Sequence, residues 1–219
     1  MKTLDYTMEN MKELQDYIAY RKKLEDSRKQ RSTNAFFNDS AVHEEFVIKE
    51  LFTNAIESSP KINTIYMYCG KMSAFRDEMK DLVDEKRNEL KPDDSATDEE
   101  KEEWNDFNPY SKAIAKMEDF FKEGGHLEVI VDDDVSSIVE ESIWRDTLSR
   151  YYYNTKQLTI NRLCGIGGVE HFIVCGNAYR SELSHKDKTA ICCFNDPVYA
   201  NLLYANFSFL QMSSRPAII

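Results

Sequence analysis

The chain predicts an α/β domain with a mixed, largely parallel sheet and helices on both faces. Segments whose apolar residues recur with a helical period alternate with short runs of β-branched and aromatic residues. The order "YSKAIAKMEDFFKEGG" then "HLEVIVDDD" is a helix, a Gly-Gly stop and a strand with an acidic end, as in a βαβ crossover. With 42% hydrophobic residues, 12 Tyr, 12 Phe and 2 Trp among 219 residues, there is enough apolar surface for one sizeable core.

The first element is a polar helix over residues 1 to about 35. Leu4, Met8, Met11, Leu14, Ile18 and Leu24 form a narrow stripe in a heavily charged segment. So thin a stripe fits a helix lying across the domain or along a neighbouring subunit. Residues 1–38 therefore read as an N-terminal helix and linker, a dimerisation element. "SRKQRSTN" is the most basic short stretch, and reads as a solvated linker or a nucleic-acid arm.

Residues 39–213 read as the α/β domain. Asp39 or Ser40 caps a helix that buries Phe46, Val47, Leu51, Phe52 and Ile56, and Pro60 stops it. "INTIYMYCG" is a buried strand and "FRDEMKDLVDEKRNEL" a charged helix. "KPDDSATDEEKEEWNDFNP" has too little apolar surface to pack, so 77–108 reads as an acidic, exposed insert. After the crossover come a helix over "VSSIVEESIWRDTLSRYYYN", strands at "LTINRL", "EHFIVCG", "AYRSEL" and "KTAICCF", and a last helix. Asn195 or Asp196 caps that helix, with Pro197 in its first turn and Val198, Leu202, Leu203, Phe207 and Leu210 towards the core.

The net charge of −11 disfavours nucleic acid and anionic membrane as general partners, because the protein's field repels both at long range. The excess is local: residues 77–106 hold fourteen acidic residues against five basic ones. Five cysteines without framework spacing, no signal-like start and no long apolar run point to the cytoplasm. No motif implies a cofactor, and Cys69, Cys164, Cys175, Cys192 and Cys193 form no CxxC pair for a metal.

The residues with chemistry to offer gather in "HFIVCGNAYRSE". His171 opens a strand, Tyr179, Arg180 and Glu182 lie across a Gly-Asn turn, and Asn195 closes the next strand. Arg180 and Glu182 share a face by the two-residue period, so they form an ion pair or offer a guanidinium to an anion. Asp132, Asp133 and Asp134 stand at a strand end, where open α/β sheets place ligands; they read as loop carboxylates, with Mg²⁺ as the alternative. "GIGG" at 165–168 lacks dinucleotide spacing.

From about Val42 to Leu210 the order of elements resembles one half of the phospholipase D-like superfamily. The strand "INTIYMYCG", "GGHLEVIVDDD", the hairpin "HFIVCGNAYRSEL" and "AICCFND" carry that resemblance. The superfamily motif is HxKxxxxD followed by GSxN, whose histidine attacks phosphorus. Taking His171 as that histidine leaves Ile173 at the lysine position and Ala178 at the aspartate position, while Asn195 retains the final asparagine. The resemblance implies a catalytically degenerate binding or regulatory module that recognises a phosphate-containing ligand through Tyr179, Arg180, Glu182 and Asn195. It also implies a homodimer, since active members need two motifs. The alternatives are a dimeric phosphodiesterase or nuclease with His171 as its catalytic residue, and an acidic protein-interaction module.

Overall fold

A computed structural model of the chain describes residues 2–70, 77–132, 149–164, 170–184 and 189–217. Helix α1 (Lys2–Gln30) leads through strand β1 (Ala35–Asn38) into α2 (Ala41–Glu57) and β2 (Thr64–Cys69). Helices α3 (Asp77–Glu89), α4 (Asp98–Asp106) and α5 (Pro109–Lys122) follow, then β3 (His126–Val131). A π-helical turn at Arg150–Asn154 precedes β4 (Leu158–Leu163). The chain continues with β5 (Phe172–Cys175), β6 (Ala178–Ser184), β7 (Thr189–Cys193), α6 (Pro197–Met212) and β8 (Ser214–Pro216). Most of the helix expected over "VSSIVEESIWRDTLSRYYYN" lies outside the described residues, as do Asp133, Asp134 and "GIGG".

The strands form one eight-stranded sheet in the order β1-β7-β6-β5-β2-β3-β4-β8. Only β2–β3 and β3–β4 pair in parallel, and the other five pairs are antiparallel. The expectation of a largely parallel sheet is therefore corrected. The reason is connection length: β5 and β6 are joined by Gly176–Asn177 alone, and two residues can only turn the chain back. Gly176 supplies the turn's left-handed backbone at φ +60°, and a Cβ there would come within 2.6 Å of Ile62 Cδ1. The parallel pair β2–β3 has its crossover, made of α3, α4 and α5.

Both faces of the sheet are buried, and strand alternation assigns residues to them. Ile65 and Met67, Leu127 and Val129, Ile173 and Cys175, and Cys192 face the core built with α1, α2 and α5. Tyr68, Ile130, Phe172, Val174, Tyr179 and Cys193 face a second core covered by α6. Helix α2 is capped by the Ser40 side chain, which accepts from the His43 amide, and it buries Phe46, Val47, Leu51 and Phe52. Pro109 opens α5, whose Ala113, Ile114, Met117, Phe120 and Phe121 are all buried as the periodicity predicts.

Helix α1 takes the first of the two placements its stripe fits, across the domain, while α6 departs from expectation. The stripe of α1 is used inside the chain, with Leu14, Ile18 and Leu24 buried in the same core as α2. A buried ion pair fixes α1 there: Arg28 Nε donates to Glu50 at 2.6 Å, and Arg28 Nη1 donates to Glu57 at 2.5 Å. Arg28, the centre of the basic patch, is thus spent on α2 and not on solvent or a phosphate backbone. In α6, Leu203, Phe207 and Leu210 reach the core, but Val198 and Leu202 are exposed. No helix among the described residues is long and apolar enough to cross a membrane.

Candidate functional site

The C-terminal edge of β2 and β3 is where the sheet gathers polar side chains. Because β2 pairs antiparallel with β5, Tyr68 lies opposite Phe172 and the end of β2 meets His171. Parallel pairing of β2 with β3 brings Asp132 to the same edge, one residue past Val131. Strand β6 adds Glu182, whose amide donates to the His171 carbonyl at 2.8 Å. His171 Nε2 lies 3.2 Å from Asp132 Oδ2, and His171 Nδ1 lies 3.2 Å from Glu182 Oε2. The Tyr68 hydroxyl donates to Asp132 Oδ1 at 2.7 Å, and its ring meets the imidazole edge-on. The histidine is packed closely on its open side too, since a Cβ on Gly70 would stand 3.1 Å from His171 Cε1.

This arrangement determines what the histidine can do. Burial opposes its charge, but hydrogen bonds and Coulomb attraction from Glu182 and Asp132 outweigh burial, so its pKa is raised above the ordinary value. A protonated ring has two N–H donors, and both point at carboxylates. Among the described residues, both ring nitrogens are thus engaged by carboxylates.

The remaining candidate residues lie elsewhere. Arg180 faces α2, 8% exposed, with Nη2 3.3 Å from Glu44 Oε2 on that helix. It pairs with Glu44 in place of Glu182. Beside it Glu45 is fully buried with neither carboxylate oxygen hydrogen-bonded, and burial followed by repulsion from Glu44 raises its pKa well above the usual carboxylate range. Tyr179 is buried under α6 against Tyr199, with ring centroids 4.7 Å apart. Asn195 is at the other end of β5 from His171: its Nδ2 donates to the Arg31 carbonyl at 3.0 Å, beside the Gly176–Asn177 turn. His171, Arg180 and Asn195 therefore do not share a cleft. Among the described residues, Glu182 is the one other candidate that joins His171, and Asp132 and Tyr68 stand with them.

A second constellation is acidic and exposed. Helix α4 buries no residue, yet its placement is fixed. Thr97 caps it in a capping box with Glu100. Trp104 Nε1 donates to the Arg87 carbonyl at 2.9 Å, and the Arg87 guanidinium lies over the indole at 4.2 Å. On the side towards α1, Glu103 accepts from Gln15, and Asp106 pairs with Arg21 at 3.1 Å and with Lys112 at 2.6 Å. Asp98, Glu99 and Glu102 are exposed and form no ion pair among the described residues.

No protein-family profile matches the chain, and no curated protein is similar to it. Among solved structures, one that is similar is that of TrmBL2, an archaeal chromatin protein whose structure is described as showing a novel mode of DNA binding. Identity is 10% and the TM-score 0.47, over 98% of this chain and 68% of that one.

The phospholipase D-like resemblance is withdrawn, and the expected phosphate site with it. The comparison returns a chromatin protein where the sequence reading has a phospholipase D-like half. The residues agree with that correction: the histidine is clamped by carboxylates, the arginine faces α2 and the asparagine caps a distant turn. Asp132 was visible in the sequence as a strand-end carboxylate, but only the pairing of β5 beside β2 reveals its partner. Tyr68 sits among apolar residues of its strand and Glu45 beside Glu44 in an ordinary helix, so neither stands out in the sequence. Among the described residues no group of acids, cysteines and histidines has metal-binding geometry.

Proposed function

We propose that the domain is a non-enzymatic protein-interaction module that presents a fixed acidic helix, α4, to a basic partner. One observation carries this reading: nine residues that bury nothing are nevertheless held as a helix by a capping box and a tryptophan anchor. An isolated helix of this length is marginal in water, so these anchors decide its shape. They keep one side of α4 on α1 and leave Asp98, Glu99 and Glu102 pointing away. Asp93 and Asp94 before the helix, and Asp81 and Glu85 on α3, are exposed as well and extend the acidic surface. A pre-organised row of carboxylates speeds encounter with a cationic surface and holds its register. The carboxylate-clamped His171 supports the non-enzymatic part of the reading.

Capture of partners from extract by the triple variant Asp98→Asn, Glu99→Gln and Glu102→Gln tests this. A control variant with the same charge change on α1, Glu9→Gln, Asp16→Asn and Asp26→Asn, separates a specific surface from net charge. The reading predicts that partners are lost from the α4 variant and kept by the control, and that added salt removes them from the wild type. Equal losses in both variants would reduce the effect to bulk charge and overturn the reading.

A further inference from the structure

Helix α6 has an outer face unlike the rest of the surface. None of its sixteen residues is charged, in a chain that is 31% Asp, Glu, Lys and Arg. Its inner side, Ala200, Leu203, Phe207 and Leu210, is buried on the sheet. Its outer side is also apolar: Val198 is 81% exposed, Leu202 52%, Phe209 70% and Met212 86%. With the exposed Ala205 between them, these residues recur at steps of four, three, four and three. That is the spacing of a helix–helix seam. A helix with a single buried face turns polar residues outward, and one that is apolar on both sides is built to be covered on both.

We propose that α6 packs antiparallel against α6 of a second copy of this chain, across a twofold axis at Ala205. The stripe is close to palindromic about that residue, with Leu202 and Phe209 flanking it and Val198 and Met212 each seven residues away. The smallest side chain then sits where the two backbones approach most closely. Leu202 packs on the partner's Phe209, and Val198 on the partner's Met212. A twofold interface needs one patch to complement itself, and this patch does so in shape and in charge. Asp196 precedes the helix and Arg215 follows it, so antiparallel pairing places opposite charges together at each end.

Electrostatics select this face over others. A copy with net charge −11 repels another wherever carboxylates meet, and α6 offers a surface without them. Size is adequate too. The stripe makes an apolar patch of roughly 500 Å², at the upper end of what monomers leave exposed. With Asn201, Ser208 and Gln211 at its rim it approaches the ~800 Å² per partner of a standard interface. An anionic lipid surface is a poorer occupant, because α6 has no Lys or Arg to hold it and the domain is acidic.

Sedimentation across the micromolar range tests the proposal directly. Wild-type protein is expected at the mass of a dimer, and Leu202→Glu with Phe209→Glu at the mass of a monomer with unchanged far-ultraviolet circular dichroism. Cysteine cross-linking keeps the test independent of that variant's folding. Oxidised Ala205→Cys should yield a covalent dimer above the wild-type background. Val198→Cys should not, since antiparallel pairing sets the two copies of residue 198 about 21 Å apart, far beyond disulfide reach. A monomeric wild type, a dimer that survives both glutamates, or cross-linking through residue 198 but not 205 would each overturn it.

Discussion

At the scale of single residues, the same side chain changes its meaning with its neighbours. His171 reads in the sequence as a nucleophile's remnant, and Asp132 and Glu182 turn it into the centre of an ion cluster. Its titration follows from that geometry. The folded-state pKa lies above the unfolded value, near 6.5, so the cluster's contribution to stability is complete below about 6.5. That contribution is lost as pH rises through the folded pKa. Proton NMR of the imidazole should therefore show a midpoint above the ordinary value, and Asp132→Asn combined with Glu182→Gln should bring it down. A wild-type midpoint at or below 6.5 would contradict the clamp. Arg180 and Glu182 illustrate the limit of strand periodicity. Sharing a face predicts that they can pair, and β6 keeps its register through both, yet each finds a partner on a different element.

At the scale of elements, capping and amphipathic spacing were legible, and tertiary partners were not. The start of α2 follows from Ser40, and the buried faces of α2 and α5 from the apolar period. Strands β1 and β8 went unread because four and three residues show no period; both are edge strands defined by what they pair with. The acidic insert was expected to be exposed; α4 buries no residue, but Met79, Val83, Leu90 and Phe107 around it are in the core, and the order of α4 comes from contacts that composition does not reveal. Trp104 is the main one. Trp104→Ala removes a neutral hydrogen bond and a cation–π contact, and should cost about 1–3 kcal/mol in denaturant unfolding. It should also make residues 91–106 the first site of limited proteolysis. Unchanged stability and an unchanged cleavage pattern would mean that α4 is not held by this anchor.

At the scale of the whole molecule, the sequence carried the α/β class and the two covered faces, but not the strand directions. Those depend on connection lengths and on which strands become neighbours, and β5 beside β2 joins residues more than a hundred positions apart. The candidate site suffers most from this, because its histidine and Asp132 meet only through that pairing. What the assembled molecule adds is an asymmetry of charge across its surface. Acid is concentrated on α3 and α4 over one face of the sheet, and the uncharged α6 covers the other. A dimer through α6 leaves both acidic arms exposed, and two arms on one particle bind a multivalent basic partner more tightly than either alone. Zero-length carbodiimide cross-linking of the protein with a captured partner, read by mass spectrometry, tests the central claim most directly, because it joins only carboxylates and amines in direct contact. The account predicts that partner lysines are joined to Asp98, Glu99 and Glu102. Cross-links that avoid α4 and fall on carboxylates elsewhere in the domain would contradict it.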